Sequence, residues 1–234
     1  MHKRNLLAGV FTVLMIGMFI SGCGKNEKNV SDLKKPSETN ETTKVSSDAD
    51  REKLREQTIK NLKDAISGEL TASGKYAAYS KKAKEEGFTK IAILFEATSS
   101  SEKIHANNHI AVLEQLGVKA DEVQPKFEVK STKENLNDAI NGESYEMTTM
   151  YPNFIKTSDD GRVNLASISF NYAYKTEMKH KVMYENALNN LNNGKENTLA
   201  GEYYICPTCG NTYDTQVPGR CGISMTAKDR FIKI

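Results

Sequence analysis

Asn61-Leu-Lys-Asp-Ala-Ile-Ser-Gly-Glu69 returns seventy-four positions later as Asn135-Leu-Asn-Asp-Ala-Ile-Asn-Gly-Glu143, with seven of nine residues identical. The echo continues outward. Gly161 answers Gly87 at the same offset, and Glu177-Met-Lys-His180 answers Glu102-Lys-Ile-His105 at an offset one larger. A repeat of this kind is the strongest organising signal a chain can carry. It predicts one helical hairpin written twice, each copy reading Gly-Glu, a break at glycine, then Glu-x-x-His.

Glu and His three apart share one helix face, so both can reach a single ion. Two facing hairpins gather four carboxylates and two imidazoles in a bundle core, which is the carboxylate di-iron pattern. Surface acids on amphipathic helices are the competing reading, and phase argues against it. The inward series of the second helix runs Ile91, Phe95, Thr98, Glu102, His105, His109, Val112, Leu116. The fourth runs Phe170, Ala173, Glu177, His180, Tyr184, Leu188, Leu191, so both pairs lie in apolar stripes. Glu69 aligns with Leu62, Ile66 and Tyr76, and Glu143 with Leu136, Ile140, Met147, Met150 and Phe154. Acids in such stripes are costly to bury unless a cation neutralises them.

The 234 residues, 38% apolar and 26% charged, suffice for one bundle and a small appendage. With 32 Lys and Arg against 30 acids, no charge excess points to nucleic acid. Residues 1–22 have a basic start, an apolar run Leu6–Ile20 and then small residues, the build of an export signal. The run is short for a membrane span. Ile20-Ser-Gly-Cys23 resembles the lipobox of bacterial lipoproteins, in which the Cys is lipidated. An extracytoplasmic domain anchored by lipid to the cell membrane is therefore expected. Residues 23–50 then form a tether, polar from Gly24 onward and too poor in apolar groups to build a core.

The bundle is expected over residues 51–195. Gly87 closes the first helix as a left-handed residue, and Gly117 ends the second. Residues 118–130 make a long crossover, Ser131-Thr-Lys-Glu134 a capping box, Pro152 a kink, and Asp159-Asp-Gly161 the next reversal. Residues 202–234 change character: Cys206-Pro-Thr-Cys209 and Cys221-Gly-Ile-Ser224 have the grammar of a two-knuckle metal site. Ser224 stands where a fourth thiolate is expected. Outside the cytoplasm, Cys206 and Cys209 can also pair as a disulfide.

In this order the pieces resemble rubrerythrin over about residues 52–234. The resemblance rests on Gly68-Glu69, Tyr76, Glu85-Glu-Gly-Phe88, Glu102-x-x-His105-Ala106, Gly142-Glu-Ser-Tyr-Glu146, Met150-Tyr-Pro-Asn-Phe154, Glu177-x-x-His180 and the rubredoxin-like tail. It implies an all-α ferritin-like four-helix bundle with a small rubredoxin-like domain. The implied activity is a di-iron peroxidase that reduces hydrogen peroxide to water with electrons from a donor. An iron-binding ferroxidase without peroxidase turnover is the alternative. By the resemblance, two Fe are held by Glu69, Glu102, His105, Glu143, Glu146, Glu177 and His180. Glu146 is the extra carboxylate exchanged for a His on reduction; its counterpart in the first hairpin is Ala72. Tyr76 and Tyr151 are expected near the site, and His109 as a hydrogen-bonded neighbour of it. Cys206, Cys209, Cys221 and Ser224 are left with Fe, Zn or no metal. The resemblance also implies a homodimer in which one chain's tail approaches the other chain's bundle.

Overall fold

The computed structural model describes Ser47–Ile234; the expected signal, Cys23 and most of the tether lie outside the described residues. α1 (Asp48–Glu85) opens on a capping box between Ser47 and Asp50, and ends where Gly87 takes φ +88°. α2 (Thr89–Gln115) ends at Gly117, φ +79°. The crossover that follows holds no helix or strand, and α3 (Thr132–Tyr145) begins on the Ser131–Glu134 capping box. α5 (Asn164–Asn192) completes the bundle, with α1 packed along α2, and α3 and α4 (Tyr151–Asp160) against α5.

One local expectation is corrected. Between α3 and α4 the helix does not simply kink at Pro152: Glu146–Met150 form a π-helical stretch, and Pro152 sits in the first turn of α4. Proline has no N–H to donate and its ring crowds the carbonyl four residues back, here Thr148. A widened turn upstream accommodates both. The second reversal falls at Asp159-Asp-Gly161 as expected, with φ −79° at Gly161 and the left-handed φ of +56° at Arg162. Gly161 is needed for closeness, since a Cβ there would lie 3.0 Å from Leu54 Cβ and 3.2 Å from the Thr157 carbonyl.

The bundle core divides into two apolar clusters. One contains Tyr76, Phe95, Leu136 and Tyr184; the other contains Leu62, Val112, Tyr151 and Phe170. The repeated acids lie between them. After α5 the tail folds into a three-stranded antiparallel sheet, β1 (Tyr204–Ile205), β2 (Thr212–Tyr213) and β3 (Ile232–Lys233), in the order β2-β1-β3. Among the described residues no helix is long and apolar enough to cross a membrane.

Candidate metal centre

Each helix contributes what its phase requires. α1 brings Glu69, α2 brings Glu102 and His105, α3 brings Glu143, and α5 brings Glu177 and His180, all buried. They form two overlapping donor sets. Glu69, Glu102, His105 and Glu177 each offer an atom within 4.8 Å of the others, as do Glu102, Glu143, Glu177 and His180. Glu102 and Glu177 belong to both. His105 Nδ1 lies 2.9 Å from Glu102 Oε2 and 2.8 Å from Glu177 Oε1, while His180 Nδ1 lies 3.1 Å from Glu102 Oε1 and 2.8 Å from Glu177 Oε2. Each shared carboxylate thus turns one oxygen toward each set.

The donor set fits a pair of cations on physical grounds. Both oxygens of Glu102 and Glu177, Oε2 of Glu69 and of Glu143, and both Nδ1 atoms are buried without a hydrogen-bond partner. Buried ions left so cost several kcal/mol each by rough measure, and binding a cation removes that cost. Burial pushes Glu69 up to about 7, against the lowering pull of His105. It pushes Glu143 well above the carboxylate range, helped by Glu177 and Glu102. Burial opposes charge on His180, yet Glu102 and Glu177 raise it to about 9. The same two imidazoles hold Glu177 down against its burial.

The outer bonds orient this set. Tyr76 donates to Glu143 Oε1 at 2.8 Å, and the Tyr151 hydroxyl donates to Glu69 Oε1. His109 lies one turn beyond His105, bonded to Tyr151 and Ser169. Glu146 opens the π-helical stretch, partly buried and outside both tight sets, although the charges of Glu69, Glu177 and Glu102 raise it after burial does.

The tail supplies a second site and roofs the first. The knuckles are two copies of one turn: Gly210 N–H donates to the Cys206 carbonyl at 2.9 Å and Met225 N–H to the Cys221 carbonyl at 3.0 Å. Gly210 has φ +77° and Met225 φ +61°. Cys206, Cys209 and Cys221 are free, buried and close enough to share an ion. Ser224 Oγ stands 3.1 Å from Cys206 Sγ, at the fourth corner. The neighbouring Cys209 thiol, and after it the Ser224 hydroxyl, lower Cys206 to about 4, while the bond to Cys206 and burial make Cys209 keep its own proton more tightly.

Sequence reading did not foresee how the first knuckle meets the bundle. His105 Nε2 is 3.1 Å from the Cys209 carbonyl, so Nε2 carries the proton and Nδ1 is left as the donor that faces the acids. His180 Nε2 is 3.0 Å from Thr212 Oγ1, whose own proton goes to the Gly210 carbonyl at 3.2 Å. Ser101 and Asn108 of α2 donate to the Gly210 and Thr208 carbonyls at 2.7 and 2.9 Å. A Cβ at Gly210 would collide with His105 Nε2 and lie 2.8 Å from Ser101 Oγ. Ser101, Asn108, Gly210 and Thr212 could not be picked out from sequence, because their partners lie about a hundred positions away or across the bundle. The tail thus rests on its own chain's bundle.

A four-helix bundle with two carboxylate-sharing donor sets in its core and a thiolate knuckle on its imidazoles defines a two-metal carboxylate protein with an attached redox-type knuckle. The family model described as Rubrerythrin matches residues 60–188. Nigerythrin of Nitratidesulfovibrio vulgaris is 33% identical over 182 residues, covering 74% of this chain and 85% of that protein. Rubrerythrin-2 of Clostridium acetobutylicum is 33% identical over 73% of this chain and 92% of its own length. Fully reduced, all-ferrous nigerythrin superposes with TM-score 0.69 at 33% identity, over 76% of this chain and 86% of that one. This chain belongs to the rubrerythrin family.

Proposed function

We propose that this chain is a di-iron peroxidase that reduces hydrogen peroxide to water with electrons entering through the tail. The observation that carries the reading is the double sharing of Glu102 and Glu177 between two donor sets that each take one inward-facing imidazole nitrogen. Family membership and the all-ferrous relative support iron as the metal. Glu69, Glu102, His105 and Glu177 would hold one iron; Glu102, Glu143, Glu177 and His180 would hold the other. When bound, two ferrous ions supply the two electrons that break the O–O bond of peroxide.

The chain does the rest. Glu69, Glu102, Glu143 and Glu177 offset the charge of the cations, and the neutral imidazoles keep the total charge from growing further. The two apolar clusters exclude water from both ends of the site. Tyr76 and Tyr151 fix the rotamers of Glu143 and Glu69. Glu146 stands outside the tight sets while His105 stands inside one, and, as the family resemblance implies, the two would be alternative donors to one iron. Cys206, Cys209 and Cys221, with Ser224 at the fourth corner, would hold an iron that supplies electrons, and the Cys209 carbonyl to His105 bond joins that knuckle to the centre.

Export is part of the proposal. Residues 1–22 direct the chain out of the cytoplasm, Cys23 is lipidated, and the domain works at the outer face of the cell membrane. Cys23→Ala abolishes incorporation of radiolabelled palmitate and frees the protein from the membrane fraction; retained label shows the anchor lies elsewhere.

Metal content and turnover test the enzymatic reading. Loaded anaerobically with ferrous iron, the chain lacking residues 1–23 is expected to hold three irons, to show thiolate charge-transfer absorption, and to consume peroxide catalytically with an added reductant. Two irons without the thiolate band leave the bundle dependent on another donor. Iron oxidation in a single round without peroxide turnover establishes the ferroxidase alternative.

A further inference from the structure

His109 holds no metal in the reading above, yet it is wholly buried and both its ring nitrogens are engaged. Nδ1 lies 2.7 Å from Ser169 Oγ and Nε2 lies 3.1 Å from the Tyr151 hydroxyl, which is bonded to Glu69 Oε1. Counting protons fixes the direction of each bond. Tyr151 has one hydroxyl proton and Glu69, ionised when it holds a cation, has none, so the proton between them belongs to Tyr151. Tyr151 must then accept from His109, which puts the ring proton on Nε2. Nδ1 is left as an acceptor, and Ser169 is its donor. All three bonds point toward Glu69. Ser169 is 4% exposed, whereas His109, Tyr151 and Glu69 are 0% exposed, so the outer member lies nearest to solvent. The surrounding cluster of Leu62, Val112, Met150 and Phe170 bars water from any other approach on this side.

We propose that Ser169, His109 and Tyr151 form a proton line from the surface of α5 to the centre, with His109 passing the proton by exchanging tautomers. The need for it rests on the peroxidase reading, because reducing one peroxide to two waters takes up two protons with the two electrons. In one inward step Ser169 gives its proton to Nδ1, Nε2–H goes to the Tyr151 oxygen, and the Tyr151 proton goes to Glu69 Oε1. Water replaces the Ser169 proton, so one proton enters; Ser169, His109 and Tyr151 keep their charge, and Glu69 is neutral only until it passes the proton to the peroxide oxygen. Rotation of the hydroxyls and return of the ring tautomer reset the line. The ring is suited to this, since burial and the neighbouring His105 hold its pKa down at about 3 and keep it neutral.

His109→Gln separates transfer from positioning. A glutamine amide can donate to Tyr151 and accept from Ser169, yet it cannot exchange tautomers. In the ferrous-loaded protein, His109→Gln and Ser169→Ala are expected to bind as much iron as the parent. Their oxidation by hydrogen peroxide should be about a hundredfold slower, with a larger solvent deuterium isotope effect. Parental rates in His109→Gln overturn the proposal, and Ser169→Ala decides should His109→Gln not fold. A parent that peroxide does not oxidise defeats the proposed function instead. The line is then judged on the metal-free parent by 15N NMR well above pH 7, where Glu69 is ionised; a proton on His109 Nε2 is expected and one on Nδ1 overturns it.

Discussion

Glu102 and Glu177 occupy a different position from Glu69 and Glu143, although all four are the same residue type from the same repeat. The first two serve both donor sets and the second two serve one each. Glu177→Gln is therefore expected to lower metal content from two ions per bundle to none at micromolar metal. Glu143→Gln should leave one, and elemental analysis of dialysed protein distinguishes the cases. Tyr76→Phe removes a buried bond of 2.8 Å to Glu143, whose carboxyl is held neutral by burial in the metal-free protein, without leaving a cavity. Such a bond contributes about 0.5–1.5 kcal/mol, so chemical denaturation of the metal-free variant should show a loss in that range. The acids and imidazoles were legible in sequence because burying them forces them into the helical period. The tyrosines were legible only as core residues of the right phase: periodicity places a ring inside, but does not say which carboxylate its hydroxyl meets.

Among the elements, the two knuckles repeat one backbone turn with different residues at its two critical places. Cys209-Gly210 in the first becomes Ser224-Met225 in the second. A non-glycine residue in the left-handed region carries strain of about 1 kcal/mol. Met225→Gly should accordingly slow amide exchange of the second knuckle. Ser224→Cys places a fourth sulfur beside Cys206, and an intensified thiolate-to-iron band in the ferric protein is the expected result; an unchanged spectrum would mean that the fourth corner does not face the ion. The missing thiolate is plain in the sequence. The positive φ of Met225 is not, because only the folded turn shows that this position answers Gly210. The π-helical stretch escaped notice for a related reason. Pro152 announces a disturbance, but whether the chain kinks or widens depends on what the neighbouring helices accommodate, and here the widened turn carries Glu146.

Over the whole bundle, the buried acids make stability depend on pH and metal together. Glu69 has a pKa of about 7 in the folded state against an ordinary 4.5, so the metal-free folded form binds more protons than the unfolded form between those values. Stability falls as pH rises through that window. His180, raised to about 9 from 6.5, adds stability that is complete below 6.5 and is lost as pH rises through 9. Both act in one direction. The melting temperature of metal-free protein should therefore decline steadily from pH 5 to pH 9, and loading with metal should raise it most at the alkaline end, as calorimetry would show. Glu177, held low, works oppositely only as pH falls below its ordinary range. The hairpin duplication, the crossover and the separate tail were all readable in the chain. The seat of the tail on its own bundle was not, since it depends on polar contacts between segments about a hundred residues apart, which no local pattern encodes.

That seat has a consequence for what the tail can lose. The Cys209 carbonyl and the Thr212 hydroxyl hold the ring protons of His105 and His180 whether or not a metal lies in the knuckle. A chain whose knuckle exchanged one sulfur for a hydroxyl thus gives up part of a wire while keeping a template that fixes two tautomers. Substitution at Ser224 is tolerable on those terms and deletion of the tail is not: without it, both imidazoles would be free to turn the wrong nitrogen toward the acids.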